Sequence, residues 1–252
     1  FDSRADYGGA LYLINGVVRG EDVVIRNNQA NHRGGGVYVD RSDDVVLRDF
    51  VIENNRAPRG GGVYVDTSRA RLQGNLLNGN GDAAATVEGG ALFLQDSDAT
   101  VISNTVTANT ARNGGGIVVR GGAPQITGNI LRSNRALDGT SGNGRGGACF
   151  LGEGSPLLRG NTIQSNQAID GGGCYLLNSQ ALLELNNLMT NTAGRAGGGI
   201  YLADSSQAVV RENSVTDNVA NGTGENDGGG GIYFEASNTA VENNVLTGNR
   251  AT

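Results

Sequence analysis

One asparagine recurs along the whole chain at nearly constant spacing, and it constrains the fold more than any other feature. It stands at Asn28, Asn55, Asn80, Asn109, Asn134, Asn166, Asn191, Asn218 and Asn249. Each lies 18 or 19 residues after a small residue that opens an apolar triplet: Ala10, Gly36, Gly62, Ala91, Gly116, Ala148, Gly173, Gly199 and Gly231. These anchors step by 26, 26, 29, 25, 32, 25, 26 and 32 residues, and RGGGVYVD appears in full twice, at Arg33–Asp40 and Arg59–Asp66. An aliphatic precedes each Asn by three residues, from Ile25 to Leu246. A second Asn precedes it by five in seven units of nine (Asn75, Asn104, Asn129, Asn161, Asn186, Asn213 and Asn244), and Ala follows it by two in eight. Such a period, with short β-type alternation and no 3.6-residue pattern, denotes stacked repeats in which one unit is one coil.

The predicted fold is therefore all-β: a parallel solenoid of nine coils, each of about 25 residues and three short strands, forming one domain over residues 1–252. The same strand in successive coils pairs in register at ~4.8 Å. Asn at a fixed position then stacks into a ladder, because its amide both donates and accepts, and Asn is expected to supply the left-handed backbone of the corner. The triple glycines give a corner with positive φ or close backbone approach. A phosphate-cradling loop is disfavoured, since no helix follows any copy and the chain has no Lys.

In each triplet the first and third residues are apolar and must face the core, which turns the middle residue outward. That middle position is aromatic in eight coils of nine: Tyr12, Tyr38, Tyr64, Phe93, Phe150, Tyr175, Tyr201 and Tyr233, interrupted by Val118. Eight of the twelve aromatics lie in this file. It reads either as a stacked ladder, at ~0.2–1 kcal/mol per contact, or as a contact stripe for sugar rings or a neighbouring protein. A long strip is expected to be covered by something outside the chain or by the insertions. Extra residues fall at 81–90, 135–147 and 219–230, all at the corner just before the file. Insertions on one side mark either a binding face or a tolerated loop; the third carries the sequon Asn221-Gly-Thr.

The "GGALYL" at Gly8–Leu13, the "GGALFL" at Gly89–Leu94 and the aliphatic-x-x-Asn column resemble the right-handed parallel β-helix repeats of bacterial surface proteins. They are similar in particular to polymorphic outer-membrane autotransporter repeats, although the Phe of that motif is aliphatic here. The resemblance covers all nine coils and implies a right-handed coil, secretion and surface display; it does not imply catalysis.

Composition narrows the function. The net charge is −6, all 19 basic residues are Arg and none cluster, which argues against nucleic acid and anionic membranes as partners. No apolar run approaches the ~20 residues of a membrane span. A chain opening on Phe1 is expected to be a processed chain or an excerpt. Hydrolysis would need two carboxylates ~5–9.5 Å apart. Asp40 and Asp66 sit in register beside Asp43 and Asp44, a possible Ca²⁺ site, yet Arg33, Arg41 and Arg59 stand ready to offset them. The single His32 has no evident nucleophile partner, so no catalytic residue, metal or cofactor is assigned. Cys149 and Cys174 share one core column in consecutive coils and are expected to be buried free thiols. Ala5 and Ala251 occupy one column, so the two ends are in phase. The expected function is an extracellular structural or adhesive solenoid that self-associates end to end. The alternative is a carbohydrate-binding or polysaccharide-cleaving protein.

Overall fold

In the first coil the three strands are Leu11–Ile14, Val17–Glu21 and Val24–Arg26, and the computed structural model repeats them to Ile232–Phe234, Ala240–Glu242 and Val245–Thr247. The structure describes residues 4–252 apart from 83, 85, 138–143 and 205, so parts of two expected insertions, 81–90 and 135–147, lie outside the described residues. Like strands stack into three parallel sheets of nine, each ordered as in the sequence. The result is a right-handed solenoid of about nine turns with about 27 residues per turn, slightly more than the 25 expected, because the insertions lengthen the mean. Among the described residues there is no helix, and none long and apolar enough to cross a membrane.

A fourth, shorter sheet adds to the expected three. It pairs Arg4–Tyr7 with Gln29–Arg33, lapses, then resumes as six strands from Thr110–Ala111 to Arg250–Ala251. In the lapse, Arg56 and Arg59 make only isolated bridges. Pro58 explains this, since it brings no N–H to a ladder.

The first and third triplet residues fill the core with aliphatics from the other two sheets, as at Leu72, Leu77, Leu92, Leu94 and Val101. Full burial of such side chains stabilises by ~1.5–3 kcal/mol each. Both Asn columns are ladders. Asn109 accepts on Oδ1 from the backbone N and Nδ2 of Asn80, at 2.8 and 3.1 Å, and donates from Nδ2 to Asn134 Oδ1 at 2.9 Å. The second ladder runs from Asn75 to Asn244 by the same bonds. In the second coil Phe50 occupies that column, and its ring lies where a Cβ on Gly20 would stand, 2.5 Å away.

The corner residue differs from expectation. Positive φ falls on the residue before each ladder Asn (Asn27, Asn54, Ala108, Ser133), whereas the ladder Asn itself keeps ordinary backbone. Its amide must face inward to reach the coils on either side, and a left-handed residue just ahead makes that turn. The triple glycines divide their work. Gly60 has φ +62°, and a Cβ on Gly35 would sit 2.2 Å from the Gly61 carbonyl oxygen.

Candidate functional site: the aromatic face

The aromatic file is outside the tube, as alternation requires, but most of it is not bare. Tyr38, Tyr64, Phe93, Phe150, Tyr175 and Tyr201 are buried, Tyr233 is half-buried, and Tyr12 alone of the file is 50% exposed. The rings stack with centroids 4.8 Å apart for Tyr64–Phe93 and for Tyr175–Tyr201, and 5.5 Å for Phe150–Tyr175. Val118 interrupts them and is itself buried.

Two columns flank the file. On one side stand Tyr7, Arg33, Arg59, Glu88, Asn113, Arg145 and Asp170. On the other stand Asp40, Asp66, Gln95 and Arg120. Arginines reach across the rings between them. Arg33 lies 5.1 Å over the Tyr64 ring and donates to Asp66 at 3.0 Å. Arg120 lies 4.8 Å over Phe150 and binds Glu88 through Nε and Nη2, while Arg145 covers Tyr175 at 5.1 Å. Each guanidinium thus meets a ring face with its plane and, at Arg33 and Arg120, a carboxylate with its edge. From the sequence the file is expected to be covered at least in part by a partner or by the insertions; the chain's own arginines also cover much of it. One insertion contributes, as the Tyr233 phenol donates to the Asn226 carbonyl at 2.7 Å.

Burial acts on the phenols. It is the largest cause pushing Tyr38 and Tyr175 up to about 12, with Asp66 adding at Tyr38 and Asp170 at Tyr175. Tyr64 is raised for the same first reason. Tyr201 is raised by burial and by its 2.6 Å hydrogen bond to Glu235.

The carboxylates weighed from the sequence are in register but engaged. Asp40 pairs with Arg41 at 2.8 Å and Asp66 with Arg33, while Asp44 pairs with Arg19 at 2.7 Å and Asp43 approaches Arg69 at 3.7 Å. Elsewhere Asp170, fully buried, is held by Arg195, and Glu184 by Arg159 and Arg211. Among the described residues, no group of three or more His, Cys, Asp or Glu lies close enough to hold a metal. His32 lies against the Tyr7 ring at 5.6 Å. Asn221 is exposed. Cys149 and Cys174 are buried free thiols facing each other across one rung; a hydrogen bond to Cys174 and burial push the Cys149 thiol up.

Two side-chain arrangements escaped the sequence reading. The arginine straps were one, although Arg33 and Asp66 both fall in columns set by the anchor. The other is a serine ladder at the first corner, where Gly16, Ser42 and Ser68 donate backbone N–H to the next hydroxyl at 3.1, 3.0 and 3.2 Å.

These features define a parallel β-solenoid with amide ladders inside and a strapped aromatic ladder outside. The model of the right-handed β-helix region matches residues 15–92 and 89–252, and the chain belongs to that family. No curated protein and no solved structure matches it.

Proposed function

We propose that this chain is a non-catalytic scaffold, an extracellular structural or adhesive solenoid that associates end to end. The observation that carries this reading is the state of its carboxylates. Asp66, Glu88, Asp170 and Glu184 are each held in an ion pair by a guanidinium, an arrangement that fixes a carboxylate in place instead of setting it against a second free carboxyl for proton transfer. The core columns support the second half of the reading. Leu246 and Val241, at 50% and 43% exposed, continue columns that are fully buried at Val215 and Val210, where a further coil covers them. A second copy stacked on the same columns would cover them and continue the ladder that begins at Asn28, a heterologous contact that propagates.

The test is electron microscopy of the purified chain, together with incubation on neutral and acidic polysaccharides. Rods repeating at about 43 Å, nine rungs of ~4.8 Å, with no release of shorter sugars, are expected. Turnover that disappears in Asp66→Asn would replace the scaffold with the polysaccharide-cleaving alternative. Surface location is checked by protease treatment of intact source cells, which should degrade the protein.

A further inference from the structure

The lapse in the fourth sheet leaves a cavity of about 270 Å³ beside the aromatic face, lined by Tyr7, His32, Arg33, Pro58, Arg59 and Val87. Its chemistry is unlike the rest of the surface. One wall is aromatic: the Tyr7 ring, 39% exposed, lies 5.6 Å from the His32 ring and 5.3 Å from Tyr38. The lining is also cationic, and its two arginines are not equivalent. Arg33 is fixed over Tyr64 and on Asp66. Arg59 is held far less. Its ion-pair contact is Glu88 Oε2 at 3.4 Å, while the other oxygen of that carboxylate already takes two N–H groups from Arg120.

Arg59 therefore keeps most of its donor edge, with its side chain 48% exposed, and lines the same cavity as the Tyr7 and His32 rings. The adjoining cavity, about 200 Å³, shares Pro58 and adds the side chains of Gln29, Asn31 and Arg56. A flat or apolar ring face suits the Tyr7 and His32 rings. An anionic oxygen pair suits a guanidinium fork, which binds carboxylates bidentately. Hydroxyls suit the neighbouring amides.

The geometry points to a binding site for a ring that carries a carboxylate, with the ring against Tyr7 and His32 and the carboxylate on Arg59. The volume is slightly below the ~300–1,000 Å³ of drug-sized ligand sites, so the first cavity holds a single ring and the second ring of a disaccharide would extend into the adjoining one. A sugar acid and an aromatic acid share this chemistry. The site involves no bond-breaking step, goes beyond the scaffold role and stands whether or not that role holds.

The test is calorimetric titration of the full chain with digalacturonate, with 4-hydroxybenzoate, and with cellobiose as the neutral ring. Saturable binding of at least one acid and none of cellobiose is expected, and the acid that binds names the source. Arg59→Gln should weaken that binding on the order of tenfold, and Tyr7→Ala should weaken it too. Thermal unfolding of Arg59→Gln should match the parent, because Glu88 keeps Arg120. The proposal is overturned if neither acid saturates at concentrations on the order of 10 mM. It is equally overturned if cellobiose binds as well as the acids, or if Arg59→Gln leaves affinity unchanged.

Discussion

Replacing Asn109 by Ala removes the middle of an amide ladder, and the structure gives the size of the effect. The Asn109 Oδ1 accepts from the Asn80 backbone N and from Asn80 Nδ2, and Nδ2 serves the Leu77 carbonyl at 3.0 Å and Asn134 Oδ1 at 2.9 Å. Asn134 Oδ1 retains a donor, because the backbone N of residue 109 still reaches it at 3.1 Å. Left without a partner are the Asn80 N–H and one Asn80 amide hydrogen, because the Leu77 carbonyl keeps its place in the ladder with the Thr105–Thr107 strand. At ~1–3 kcal/mol per buried unsatisfied group the ceiling is about 6 kcal/mol. Water entering the vacated space and backbone relaxation reduce it, and a loss of about 3–5 kcal/mol is expected. The control is Asn28→Ala. Asn28 donates Nδ2 to Arg26 O and to Asn55 Oδ1, and both of those bonds lie in part-buried or exposed surroundings, so about 0.5–1 kcal/mol is expected. Guanidinium unfolding compares the two, and hydrogen exchange at the Asn80 amide reads the broken rung directly. If the two variants agree within about 1 kcal/mol, the ladder does not stabilise the interior in the way argued.

Three further outcomes follow from the same geometry. Tyr38 and Tyr175 are pushed up to about 12, above the ordinary ~10 of an unfolded phenol. Their contribution is fully present below pH ~10 and is lost as pH climbs from 10 towards 12; melting temperature should fall across that window, with their phenolate absorbance appearing as the fold is lost, and titration of every phenol near pH 10 in an intact fold would contradict this. Gly35→Ala places a Cβ 2.2 Å from a backbone oxygen and should cost more than ~3 kcal/mol, whereas Gly160→Ala, with φ +63° and nothing within 4 Å, should cost about 1 kcal/mol, as paired thermal melts will read. Arg120→Met keeps a stem over Phe150 but takes the tight partner from buried Glu88, so a loss of about 2–4 kcal/mol is expected; adding Glu88→Gln should recover part of it in the double-mutant cycle.

The core columns, both Asn ladders and the glycine corners were legible because each repeats a residue type at a fixed distance from the anchor. The fate of the aromatic file was not. Alternation assigns a side chain to a face, but exposure depends on what lies over it, and the cover comes from Arg33 and Arg120, whose long side chains cross from neighbouring columns. The fourth sheet was missed because strands such as Thr110–Ala111 and Arg135–Ala136 are two residues long and show no alternation. The serine ladder was hidden because Gly122 and Gly154 interrupt its column. The left-handed corner residue was placed one position late, since Asn suits both that backbone and the ladder and the sequence offers two adjacent positions, Asn27 and Asn28.

The amide ladders also give the solenoid a direction. From Asn55 to Asn249 and from Asn75 to Asn244, Oδ1 always faces the preceding coil, and the donors that meet it always come from the N-terminal side. Two rows of side-chain carbonyl dipoles therefore point the same way along the axis, and hydrogen bonds in such chains polarise one another. Each rung is therefore two-sided: acceptors face the N-terminal side and donors the C-terminal side. Within either ladder, a coil set upside down would bring oxygen against oxygen on one side and donor against donor on the other, while the observed sense meets complementary groups at every rung. Polarity along the axis is thus written into the amides, and every rung from the first ladder Asn to the last is set in that one sense.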